Sequence, residues 1–267
     1  EYEQAVAVSH RLGAYAALWF AEDTQDQAAL NLQTRLDQIL AAARNRRLFF
    51  ELWVKGVPGD TAARLLPAAG DLRYFLESLR RLRPHTLSEP EERVINLKDV
   101  NGIDALVNVY EMITNRLSFT LDVEGERQTL TRDALSAFFR HPDPKMRQAA
   151  YQELYRVFAG ERTLLAQIYN HRVQDWRAEA LQLRHYREPI SVRNLANDLP
   201  DAVTEALLTV CRENAAVFQR YFRLKARWLG LGKLRRWDIY APLAQSERQY
   251  PFAAAVDLVM GSFDDFS

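Results

Sequence analysis

The 267-residue chain has one cysteine, Cys211, so no internal disulfide can form. That count fits a reducing, cytoplasmic compartment. The neighbours Leu207, Leu208 and Val210 predict a buried, inert thiol instead of a nucleophile. Neither charge is in excess. Lys plus Arg and Asp plus Glu each number 35, which removes any global field that would recruit nucleic acid or an anionic membrane. No apolar run approaches the ~18 residues of a membrane span. The apolar start from Ala5 to Phe20 is broken by His10 and Arg11 and has no basic leader, so it does not read as a signal peptide. Glycine and proline are scarce, ten each, and leave long stretches free to be helical. No fixed repeat period points to a regular solenoid.

Catalytic motifs are also lacking. None of the five histidines begins His-Glu-x-x-His, whose spacing would aim two imidazoles at one zinc with a Glu between them as base. His171 and Asp175 lie one helical turn apart, but two ligands do not make a zinc site. His185 with Glu188 is weaker, because Pro189 ends that helix. Gly230-Leu231-Gly232-Lys233 fails as a phosphate loop, since Arg227 and Leu234 stand where Gly and Ser or Thr are needed; it reads as a helix stop. No G-x-S-x-G is present. The basic clusters at Arg44, Arg46, Arg47 and at Arg80, Arg81, Arg83 close helical patterns, where cations oppose the helix dipole. The acidic pairs Glu22-Asp23, Glu91-Glu92 and Asp264-Asp265 read as dipole complements or solvated ends. No catalytic and no metal-binding residue is assigned.

What is present is helical periodicity. A first helix over about 2–21 pairs with a second that opens at Asp23 or Thr24 and runs to Gly56. Short helices follow to Pro67 and to Pro84. Ser88 with Glu91 forms a capping box, Pro90 sits in the first turn, and Asn101-Gly102 breaks that helix before Asp104 begins the next. One hairpin is expected: Leu117 to Val123 alternates, Glu124-Gly125-Glu126 turns, and Arg127 to Thr131 returns. Thr131 or Asp133 and then Asp143 cap further helices. From Lys145 to about Tyr186 only Gly160 interrupts; a continuous helix would span roughly 60 Å, and Gly160 is the place where it could split or bend. A second long helix is expected over about 202–229, with Val203, Leu207, Val210, Phe218 and Phe222 buried. A short, extended connection from Lys233 to Leu243 precedes a last helix. The fold class is therefore mainly α: a multi-helix shell with one small β-hairpin and one or two very long helices. Three regions are expected, a helical one over 1–116, a hairpin-plus-helix lobe over 117–158, and a long-helix spine over 159–267.

The stretch from His85 to Arg116, HTLSEPEERVINLKDVNGIDALVNVYEMITNR, resembles the oligoendopeptidase F family of zinc metallopeptidases, relatives of thimet oligopeptidase. The likeness continues in order and spacing through Tyr15 to Thr24, Asn45 to Trp53, the hairpin with Thr131 to Tyr151, and Arg193 to Leu243. The resemblance implies a helical shell around a deep channel, hydrolysis of oligopeptides, and zinc in the parent protein. There zinc would activate water, with the motif Glu as base. It places the zinc segment beyond Ser267, so the expectation is an N-terminal portion whose partner is a C-terminal catalytic half. The start at Glu1 and the end at Ser267 both read as cut. In the family the segment from Trp237 to Leu243 approaches the channel, and Asp238 and Tyr240 are candidate channel-lining residues able to hydrogen-bond peptide. The competing reading is a packed strand or turn with Tyr240 in the core. The competing function is a non-enzymatic helical scaffold that binds peptide or protein.

Overall fold

A computed structural model describes residues 1–243 and 250–266. Helix α1 (Tyr2–Glu22) and helix α2 (Gln27–Gly56) form an antiparallel hairpin. The cap of α2 is Asp26, whose carboxylate accepts from the Ala28 amide at 2.8 Å, two or three residues later than expected. Asp23 instead accepts from the Gln25 amide within the turn. The apolar stripe of α1 faces outward: Val8, Leu12 and Tyr15 are exposed, while Ala16 and Phe20 are buried. Small side chains set this choice. A Cβ on Gly13 would already meet Leu40 at 3.5 Å, so α1 approaches α2 through its least bulky face.

Helix α3 (Gly59–Leu65) leads through a 3₁₀ passage, bent at Gly70 with φ 54, to helix α4 (Arg73–Arg81). Arg80 reaches back to the end of α2, donating to the Val54 and Val57 carbonyls at 2.9 and 2.7 Å. The basic cluster thus serves the C-terminus of a neighbouring helix as well as its own. Helix α5 (Glu89–Asn101) opens on the expected capping box, the Ser88 amide donating to Glu91 at 2.9 Å. Gly102 separates it from helix α6 (Ile103–Asn115).

Strands β1 (Phe119–Val123) and β2 (Glu126–Leu130) pair antiparallel with Val123 opposite Glu126. Glu124 and Gly125 both take positive φ, 53 and 89, which matches the twist of a two-residue hairpin turn. The hairpin lies on helix α7 (Arg132–Ala137) and helix α8 (Pro144–Gly160). Phe119, Leu121, Leu135 and Ala150 form the buried cluster there, with Met146, Leu154 and Phe158 packed around it.

The stretch after Lys145 is two helices, split beside Gly160 and not continuous over roughly 60 Å. Glu161, at φ −94 and ψ 4, separates α8 from helix α9 (Arg162–Trp176), which then widens into a π turn over Arg177–Leu183. After helix α10 (Pro189–Ala196), the second long helix is likewise split, at Asn214, into helix α11 (Asp201–Glu213) and helix α12 (Ala215–Trp228). The Asn214 side chain donates to the Val210 carbonyl at 2.8 Å and ends the turn locally. Gly230, at φ 66, stops α12 as expected: its amide returns to the Arg227 carbonyl and that of Leu231 to Ala226.

Burial along this arm differs from expectation. Val203, Leu207, Val210, Phe218 and Phe222 are exposed, and so is Cys211, which is not the buried thiol its neighbours suggested. The apolar face exists, but among the described residues no element covers it. Helix α13 (Phe252–Phe266) likewise buries none of its described residues. The connection from Lys233 to Leu243 forms a 3₁₀ turn at Arg236–Asp238 instead of an extended segment. No described helix is long and apolar enough to cross a membrane.

Candidate functional site

Asp238 lies in a buried knot against the start of α8. Its Oδ1 accepts from Arg147 Nη2 at 2.7 Å, and both side chains are almost fully enclosed. Its Oδ2 accepts from the Arg235 amide at 3.1 Å. Arg147 also donates to the His141 and Pro142 carbonyls at 2.8 and 2.7 Å, so its planar fork ties three segments together. Nearby, Lys225 donates to the Ile239 carbonyl at 2.6 Å, and burial with the Arg147 charge lowers its pKa. Tyr240 is not in the core. It is exposed, with the Arg140 guanidinium 5.5 Å from its ring centre. Of the two candidate residues, then, Asp238 is held with both oxygens engaged, and only Tyr240 presents a free face.

A second polar region runs through the helical hairpins. Two cavities meet at Arg44 on α2. The larger, of 730 Å³, lies toward α1, α6 and α9 and is lined by Asp37, Asp104 and Arg172. The smaller, of 310 Å³, lies toward α5 and the π turn and is lined by Lys55, Glu92, Asp175 and Glu179. Glu92 is one of the buried charges of the chain. Burial raises its pKa, but Arg184 at 2.7 and 3.0 Å and the Leu87 amide at 3.0 Å outweigh that and hold it below the usual value. Arg184 also donates to Glu179 at 2.7 Å. The His85 ring stacks on Tyr186 at 3.7 Å and its Nδ1 lies 2.8 Å from the Arg184 carbonyl. The opposite condition holds for Asp99 and Asp104. Burial raises both, and Asp99 is pushed up to about 6 with Glu179, Asp175 and Asp104 adding repulsion.

This seam was silent in the sequence. Glu92 read as a dipole complement at a helix start, and Arg184 carried no motif, because the partners are 92 residues apart. Of the pair His171 and Asp175, only Asp175 lines the cavity. Glu188 meets Arg187, and His185 sits at φ 57 just past the π turn. The donor set does not fit zinc: among the described residues no three His, Cys, Asp or Glu side chains converge as a metal site would require.

The family model described as Oligopeptidase F matches residues 60–119, and that of peptidase family M3 matches residues 137–260. The Group B oligopeptidase PepB of Streptococcus agalactiae is 25% identical over 187 residues, which is 68% of this chain and 31% of that protein. Oligopeptidase PepF of Bacillus subtilis is 20% identical over 242 residues, 88% of this chain and 36% of that protein. The crystal structure of oligoendopeptidase-F from Enterococcus faecium superposes with a TM-score of 0.80 at 21% identity, over 92% of this chain and 49% of that one. The chain thus spans about a third of the length of these curated relatives. With both family models matched in order along a shared fold, the chain belongs to the oligoendopeptidase F family of peptidases.

Proposed function

We propose that these residues form the N-terminal scaffold and channel wall of a zinc-dependent oligopeptidase that hydrolyses short peptides. The observation that carries this reading is the ordered match to both family models, set against relatives about three times as long. The zinc ligands and the general base are assigned in this reading to a C-terminal catalytic half; among the described residues no donor set fits the metal. The outward apolar faces of α11, α12 and α13 supply the surface against which that half packs. In this reading residues 1–116 are the outer helical wall, 117–158 a braced lobe, and 159–267 the spine. Tyr240 is the exposed residue of the last matched segment and is proposed to contact peptide, with Asp238 holding its backbone in place. The compartment proposed is cytoplasmic, in keeping with a lone, accessible cysteine.

The test is hydrolysis of a quenched-fluorescent oligopeptide by the full-length gene product. Activity should vanish with a zinc chelator and return with zinc, while residues 1–267 alone neither cleave the peptide nor retain stoichiometric zinc. Cleavage or one-to-one zinc binding by the short chain overturns the assignment of the chemistry elsewhere. A full-length product without metal-dependent hydrolysis favours the scaffold that only binds peptide or protein.

A further inference from the structure

Helices α6 and α9 face each other with stripes of the same spacing. On α6 the stripe is Ile103, Leu106, Val107 and Tyr110. On α9 it is Leu165, Ile168 and Tyr169, with Arg172 at the next position. Residues spaced in this way share one helical face. The two faces line a single groove of 420 Å³, with Ile168 buried and Tyr110 and Tyr169 exposed at its edges. Arg172 is the one charged residue of that lining. Among the described residues it forms no ion pair and no hydrogen bond. Asp104 and Asp175 feel its charge, but they line the neighbouring cavities and not this groove. Arg172 also borders the larger cavity beside Asp104 and Val107, which sets it at the end of the groove where α6 begins. Leu165 and Tyr110 stand at the other end. The remaining polar groups of the lining are the two tyrosine hydroxyls, and neither has a partner among the described residues. From Leu106 and from Leu165 onward the wall amides are spent inside the helices.

We propose that this groove binds a medium-chain fatty acid, with its carboxylate on Arg172 and its hydrocarbon chain laid between the two stripes toward Leu165 and Tyr110. An apolar pocket with one fixed charge holds a ligand of matching make-up, since the apolar walls take the area and the charge sets the orientation. A guanidinium with no partner of its own is ready for a carboxylate, which it can meet with two parallel bonds. A stripe of seven residues' span runs ~10 Å along the helix, which sets the chain at roughly eight to ten carbons. A peptide fits this lining poorly. Its amides would lie against aliphatic side chains with only two hydroxyls to pair with, and each unpaired amide is costly. A neutral apolar molecule would leave Arg172 unused. The site asks for no zinc and no hydrolysis, so it goes beyond the peptidase reading and stands or falls apart from it.

The test is isothermal titration calorimetry of the metal-stripped full-length gene product with hexanoate, octanoate and decanoate, each below its micelle concentration. One molecule should bind per chain, and affinity should rise about three- to fourfold with each added methylene until the groove is filled. Arg172→Glu, at an exposed position, should weaken octanoate roughly tenfold or more and leave 1-octanol unchanged. Arg172→Gln, which drops the charge but keeps a polar chain, should weaken octanoate in the same direction and serves if charge reversal disturbs the fold. Leu165→Gln, in the apolar wall, should weaken octanoate and 1-octanol alike. Trp53→Ala, in the separate apolar groove at the end of α2, should change neither. Absence of binding, several equivalent sites, or octanoate affinity that both Arg172 variants leave intact overturns the assignment. So does a trileucine peptide that binds more tightly than decanoate and is lost in Leu165→Gln, because the groove would then be a peptide site.

Discussion

At the residue scale, the strongest constraint is a pair of charges 91 residues apart, Arg147 and Asp238. Removing two ions from water is costly, and the cost is offset here by four hydrogen bonds: two carbonyls on one guanidinium nitrogen, the carboxylate on the other, and an amide on the second carboxylate oxygen. Within this knot Arg147 Nε is buried with no partner. A lysine could not reproduce the fork, because its ammonium is a single point charge. Asp238→Ala should therefore lower the stability of the chain by about 3–5 kcal/mol, since it strands a buried cation. Asp238→Asn, which still accepts a hydrogen bond, should recover part of that loss. Urea denaturation at neutral pH gives both numbers. A cost below about 1 kcal/mol for the alanine variant would place the pair among ordinary surface ion pairs and contradict the enclosure seen here.

At the element scale, the bends matter more than the helices. The α5–α6 bend depends on Gly102: a Cβ there would lie 2.8 Å from the Lys98 carbonyl oxygen, a backbone atom that cannot move aside cheaply. Gly160, at the end of α8, has open space around its missing Cβ. The same substitution should thus have opposite signs. Gly102→Ala should destabilise by about 1–3 kcal/mol through forced crowding, and Gly160→Ala should stabilise by about 0.4–1 kcal/mol by restricting the unfolded chain. Thermal melts of the two variants beside the parent decide this, and equal shifts would mean that the bend relaxes freely. These elements also mark how far the sequence could be read. The Ser88–Glu91 box, the Glu124-Gly125 turn, the Asp143 cap and the Gly230 stop were legible because each is a local interaction between residues at most a few positions apart. The split at Glu161 was half-legible, because Gly160 beside it marked a possible break, whereas the one at Asn214 was not, since asparagine is no strong helix breaker and only its side-chain bond to the Val210 carbonyl reveals the end of the turn. The Asp238 knot and the carboxylate seam were invisible for a related reason: their partners meet only when the tertiary structure is complete.

At the scale of the whole molecule, order is distributed unevenly. The hairpin, α7 and α8 enclose a dry cluster, whereas α11, α12 and α13 present apolar side chains outward, including Phe218, Trp228 and Phe263 at 59%, 58% and 67% exposure. The arm is held at its two ends: Asp198 before α11 accepts from Tyr74 at 2.7 Å and pairs with Arg81, and at the end of α12 buried Lys225 donates to the Ile239 carbonyl. Away from these ties, amphipathic helices with no covering layer should open locally far more often than the core, because burial of an apolar face is what normally sustains a helix of this length. Hydrogen exchange measured on residues 1–267 should show fast amides in α11, in the first turns of α12 and in α13, and slow amides in α8, the hairpin and the last turn of α12, where Lys225 and Ala226 are buried. In the full-length protein, if the catalytic half packs on this face as proposed, these fast amides should slow by orders of magnitude while those of α8 change little. Equal exchange of the arm in the two proteins would mean that its apolar face stays uncovered, and would turn attention to a separate binding partner for the same surface.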